Sequence, residues 1–115
     1  MKILVCGGRD YNKRAFLYEV LNNYWVEHGA AIRIINGGAS GADAHARAWA
    51  SFKGVPCTTV SADWDVHGRA AGPIRNQRML DEEKPDLVIA FPGQNGTADM
   101  IRRARKAGVP VEVIS

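Results

Sequence analysis

The sequence predicts an α/β domain: a three-layer α/β/α sandwich with a mainly parallel five-stranded sheet. Three observations carry this. Five short apolar runs rich in branched residues recur along the chain, amphipathic stretches of helical spacing separate them, and glycines punctuate the junctions. Strands alternating with helices of this length form βαβ units with right-handed crossovers. At 115 residues the chain has the length of one domain, residues 1–115, and buries roughly two thirds of its extended-chain surface. A hydrophobic fraction of 46% against 23% charged excludes a disordered chain.

The first strand is Ile3-Leu4-Val5-Cys6, and the first helix spans residues 11–28 with a stripe of Phe16, Leu17, Val20, Leu21, Tyr24 and Trp25. Ala31 to Ile35 forms the second strand. The helix after it carries Ala42, His45, Ala46, Trp49 and Phe52 on one face, where His45 reads as a packed, hydrogen-bonded histidine. Val55 to Val60 forms the third strand, and residues 61–72 make the longest irregular stretch before a shorter helix around residues 73–83. Leu87 to Phe91 is the fourth strand. Thr97, Met100, Ile101 and Ala104 mark the last helix, and Val109 to Ile114 completes the sheet.

No apolar run approaches the roughly 20 residues of a bilayer span, so a cytoplasmic protein without membrane contact is expected. Cys6 and Cys57 show no CxxC spacing and the histidines are not clustered, so neither a metal site nor a redox pair is supported. Reduced, buried thiols are expected, and no cofactor. The net charge of +3 has one basic concentration, Arg102, Arg103, Arg105 and Lys106. That permits nucleic-acid contact without favouring it.

The 12 glycines divide by position. Gly29, Gly54 and Gly108 each follow a helix and precede a strand, as expected of helix stops in a left-handed conformation. Gly7, Gly8, Gly37, Gly38, Gly41, Gly68, Gly72, Gly93 and Gly96 fall between a strand and the next helix. In a parallel sheet those loops share the edge where ligands bind.

Two of these loops open a helix and so offer free N–H groups and a dipole to an anion such as phosphate. In Asn36-Gly37-Gly38-Ala39-Ser40-Gly41-Ala42-Asp43, Ser40 and Asp43 read either as a capping box or as part of the cradle. In Phe91-Pro92-Gly93-Gln94-Asn95-Gly96-Thr97, Thr97 reads as a phosphate ligand or a cap, and Asp99 lies where a helix dipole favours an acid. Gly7-Gly8-Arg9-Asp10 is too short for GxGxxG, and GxxxxGK(S/T) is absent. A standard dinucleotide dehydrogenase or P-loop enzyme is therefore disfavoured. Arg9 reaches either an anion or solvent. Trp64 either stacks on a base or pins its loop to the body. Arg75, beside Asn76 at an expected helix start, is best explained by a nearby anion.

Taken together, Gly37 to Asp43, Ala62-Asp63-Trp64, Ala71-Gly72-Pro73-Ile74-Arg75-Asn76 with Met79, and Pro92 to Met100 resemble the YspA, cpYpsA-related branch of the SLOG superfamily over essentially the whole chain. SLOG proteins are Rossmann-like and take in DNA-processing proteins of the DprA type and LOG-type phosphoribohydrolases. The phosphoribohydrolases carry an arginine with a methionine four residues later, matched by Arg75 and Met79, and PGGxGTxxE, matched by Pro92, Gly93, Gly96 and Thr97. Gln94 replaces the second glycine, and Met100 stands where the family has its glutamate. The resemblance therefore implies that the phosphate cradle is kept and the expected acid is not. The reading is a binding domain for a nucleotide-like small molecule, a phosphorylated nucleoside or nucleotide derivative. The rival is N-glycosidic hydrolysis using Arg75 with Asp99 or Asp43, where a carboxylate would stabilise an oxocarbenium-like state. Single-stranded nucleic-acid binding is a third reading. Homo-oligomerisation through the first helix, with Tyr24 and Trp25, stays open.

Overall fold

The computed structural model describes residues 1–115. Its elements are β1 (Lys2–Cys6), α1 (Arg14–His28), β2 (Arg33–Asn36), α2 (Ala42–Lys53), β3 (Cys57–Thr59), α3 (Trp64–His67), α4 (Ala71–Arg78), β4 (Leu87–Ala90), α5 (Asn95–Lys106) and β5 (Val111–Val113). All strand pairs are parallel, and the sheet order is β3-β2-β1-β4-β5.

Alternation along the central strand builds the two outer layers. Ile3 and Val5 face a cluster with Leu17, Leu21, Ala46 and Trp49 of α1 and α2, while Leu4 faces Met79, Met100 and Ala104 on the α4 and α5 side. Both faces of β1 and β4 are therefore covered, which is why these strands read as continuous apolar runs. From β1 the chain builds outward through β2 to β3, then returns past β1 to β4 and β5. Between β1 and β4, paired Val5 to Ile89 and Cys6 to Ala90, consecutive connections leave in opposite directions, which opens a crevice at the carboxyl ends of the two strands.

Several elements depart from the sequence pattern. Residues 61–72 are not irregular: Asp63 accepts a hydrogen bond from Val66 N–H (3.2 Å) to cap α3, and a 3₁₀ turn, Gly68–Ala70, leads into α4. Gly68 stops α3 at φ 55° and so belongs with the helix-ending glycines, whereas Gly72 lies inside α4. The helix expected over 73–83 starts earlier and ends in a π turn, Met79–Glu83, closed by Lys84 in the left-handed region before Pro85. At the sheet edge β3 is only three residues long and exposed, so Cys57 is exposed rather than buried. Phe52, expected on the buried stripe, is 81% exposed: at about 100° per residue it falls roughly 100° round α2 from the centre of the face that Ala42, Ala46, Trp49 and Ala50 bury. No helix is long and apolar enough to cross a membrane.

Candidate functional site

The crevice is a cleft of about 920 Å³, within the range of small-molecule sites. Its floor is Val5, Cys6 and Met79. Burial pushes the Cys6 thiol up to about 12, assisted by the Asp43 charge and opposed by Arg75, so this sulfur is an inert lining group.

One wall is the loop after β2, and side chains account for its backbone groups. Asp43 Oδ2 accepts from Gly37 N–H (3.0 Å) and Ala39 N–H (3.3 Å). Asn36, wholly buried, accepts from Gly38 N–H (2.8 Å) through Oδ1 and anchors its amide to Thr58 and Thr59 of β3. Arg47 donates to Ala39 C=O (3.1 Å), and Arg75 donates to Gly37 C=O (2.5 Å). The amides of residues 37–39, expected to cradle an anion, are thus spent inside the protein. The capping box does not form either: Ser40 Oγ donates to Arg9 C=O (2.9 Å), and α2 starts after Gly41 without a side-chain cap. Burial raises the Asp43 carboxyl above its ordinary value, against the pull of the two amides, Arg75 and Arg47.

A second wall comes from α4. Arg75 is not at a helix start but in the last turn, so the dipole gives it no reason to seek an anion, and the expectation rested on a misplaced helix boundary. What fixes it is contact: Nε donates to Asn76 Oδ1 (3.0 Å), and burial lowers its pKa. Asn76 in turn donates to Gly96 C=O (3.3 Å) and Asp99 Oδ2 (3.0 Å), joining α4 to α5.

The third wall is the first turn of α5. Its cap residue is Gln94, so Thr97 is not a cap, and Asp99 lies in the second turn. No acceptor in the protein meets the N–H of Asn95, Gly96 or Thr97, and the Thr97 hydroxyl has no partner, while all three residues line the cleft. Asp99 is occupied: Arg102 donates to Oδ1 (2.5 Å), and Arg103 (2.9 Å) and Asn76 donate to Oδ2. Desolvation pushes its carboxyl up, but these hydrogen bonds and the two guanidinium charges outweigh it and hold the group below the usual carboxylate range. Met100, at 1% exposure, faces the core.

Glycine lets the loops meet. A Cβ on Gly93 would lie 2.8 Å from Gly8 N and 2.9 Å from Thr97 Cβ, and Gly8 N–H donates to Pro92 C=O (2.8 Å). Gly41 combines φ 68° with a Cβ position 2.6 Å from Arg9 C. Above the cleft, the Arg9 guanidinium lies over the Trp64 ring, 5.2 Å from its centroid.

Of the candidate residues, Gly7, Gly8, Arg9, Gly37, Ala39, Asp43, Trp64, Arg75, Asn76, Gln94, Asn95, Gly96, Thr97 and Asp99 line the cleft. Gly38, Ser40, Gly41, Pro92 and Gly93 sit behind it as loop scaffolding. Sequence reasoning missed Asp10, Arg69 and Arg102 on the lining, and Arg47 behind it. Arg47 had a signal, standing four residues after Asp43 on α2 and hence on the same helix face. His45 is hydrogen-bonded to Tyr11 C=O (3.0 Å), a packed role as expected. The Tyr24 hydroxyl donates to Glu112.

Compared with known proteins, residues 1–67 match the YspA, cpYpsA-related SLOG family. The chain belongs to this family. It is also 34% identical over 118 residues to the Gene 61 protein of Mycobacterium phage D29, covering 96% of this chain and 93% of that one. In fold it is similar to DNA processing protein A (DprA) from Streptococcus pneumoniae, with a TM-score of 0.79 and 20% identity over 99% of this chain. The chain spans only half, 50%, of that protein. TM1055 is similar at a TM-score of 0.72 and 20% identity, with 96% of this chain and 72% of that one covered. These two likenesses establish the Rossmann-like α/β fold. In this SLOG chain the acid position of the phosphoribohydrolase signature is thus a core methionine, and its neighbour Asp99 is an ion-paired link to α4.

Proposed function

We propose that residues 1–115 act as one nucleotide-binding domain, which holds a phosphorylated nucleoside or nucleotide-derived ligand in the cleft with its phosphate at the start of α5. One observation carries the reading: Asn95, Gly96 and Thr97 line the cleft, and their N–H groups and the Thr97 hydroxyl have no protein partners. A helix of 12 residues adds its positive end to those donors. The glycine loop at Gly37 to Ser40 shapes the wall beside the ligand rather than holding its phosphate. Arg75 stands across from that turn, and Trp64, half exposed, presents a ring to a base.

Binding rather than hydrolysis is the favoured reading because both Asp99 oxygens already have donors. A thermal-shift panel of nucleoside monophosphates, dinucleotides and cyclic nucleotides tests it. A ligand at about 100 times its Kd stabilises the protein by roughly 2.7 kcal/mol, and Thr97→Val together with Arg75→Ala removes the shift. A panel without any shift, or a shift the double variant leaves unchanged, contradicts the site. Release of free base from a monophosphate would move the reading to the hydrolase.

A further inference from the structure

Arg9 and Trp64 both line the cleft and meet there. Arg9 belongs to the loop after β1, Trp64 to α3, and the guanidinium sits 5.2 Å from the ring centroid. On α4, a Cβ on Gly72 would lie 3.3 Å from Cη2 at the edge of the Trp64 ring. Trp64 lines the cleft, and Arg9 covers a face of its ring. No hydrogen bond or ion pair ties the Arg9 guanidinium to the protein. Its neighbour Gly8 is bonded to Pro92 (2.8 Å), which places the root of the Arg9 side chain beside the loop that opens α5. Burial lowers the Arg75 pKa most and the Arg9 charge lowers it further, a like-charge repulsion that an anion between them would relieve.

Resting on the nucleotide-binding reading above, we propose that Arg9 couples the two halves of the ligand site: its guanidinium competes with the ligand's base for the face of Trp64 and moves onto the ligand's phosphate. A planar guanidinium is suited to both positions, stacking on an aromatic face and donating in a fork to phosphate oxygens. The two roles have opposite signs. A nucleoside lacking phosphate must displace Arg9 from the ring with nothing gained in exchange, whereas a nucleotide recovers the loss at its phosphate. Arg9 thus makes the site selective for phosphorylated ligands by penalising the unphosphorylated ones.

The test is calorimetric titration of wild type and Arg9→Ala with two probes, adenosine and AMP. Removing an exposed cation–π contact is worth about two- to fivefold, and removing a charged hydrogen bond about tenfold or more. Arg9→Ala is expected to tighten adenosine about two- to fivefold and to weaken AMP by about twofold or more, the lost charged hydrogen bond outweighing that same gain. In a Trp64→Leu background, the adenosine gain is expected to vanish while the AMP loss persists. Arg9→Ala moving both probes in the same direction, or leaving adenosine unchanged, overturns the coupling while leaving nucleotide binding intact. Wild type binding neither probe overturns the nucleotide reading and the coupling with it.

Discussion

At the residue scale, Asp43 decides the shape of the site without offering its charge to a ligand first. Both of its loop contacts end on one oxygen, Oδ2, and an amide oxygen accepts two N–H bonds as well as a carboxylate oxygen does. Asp43→Asn is therefore expected to stay within about 1 kcal/mol of wild type, and Asp43→Ala, which orphans two amides, to lose about 2–4 kcal/mol in urea unfolding. Equal losses for the two variants would mean that the charge facing Arg75 and Arg47 is what holds the loop. Asp99 differs. Its folded pKa lies below the ordinary value, so its stabilisation is complete above about pH 4 and disappears as pH falls through the lowered pKa. Asp43, shifted upward, slopes the other way and loses stability as pH rises. Below about pH 4, wild type is expected to lose more stability than Asp99→Asn does, as read by denaturation at stepped pH. Parallel curves would show that Asp99 ion pairing contributes nothing. The sequence made Asp43 visible as part of a motif, but its role was hidden: spacing from Ser40 suggested a cap, whereas the carboxylate turns back onto Gly37 and Ala39.

At the scale of elements, the strands and long helices were legible because burial on one or both faces imposes a period on the sequence. Residues 61–72 were not, since α3 and its 3₁₀ turn are exposed and carry no apolar stripe; the cap at Asp63 was their one local signal. The misplaced start of α4 also put Arg75 in a first turn it does not occupy. Glycines within one loop carry different burdens. Gly93→Ala drives a Cβ toward Gly8 N and Thr97 Cβ and is expected to cost about 1–3 kcal/mol. Gly96→Ala meets nothing within 4 Å and lies inside α5, where alanine gains up to about 1 kcal/mol. Thermal midpoints of the two variants should move in opposite directions. A Gly93→Ala protein as stable as wild type would show that the loops after β1 and β4 do not need their close approach.

At the scale of the whole molecule, what the pattern of runs and stripes does not contain is the strand order. The α/β class follows from local alternation, but the adjacency of β1 and β4 depends on pairing between segments about 85 residues apart. That adjacency brings Gly8, Pro92 and the start of α5 together and creates the cleft. It also explains why two glycine loops that look alike in sequence end with different duties: one is pinned by Asn36, Asp43, Arg47 and Arg75, and the other keeps its amides free. The difference is open to direct measurement by amide correlation spectra of labelled protein titrated with AMP. Resonances of Asn95, Gly96 and Thr97 are expected to shift in proportion to occupancy, with smaller changes at Gly37, Gly38 and Ala39. Shifts concentrated at residues 37–39 with none at 95–97, or an unchanged spectrum at saturating AMP, would contradict a phosphate seat at the start of α5.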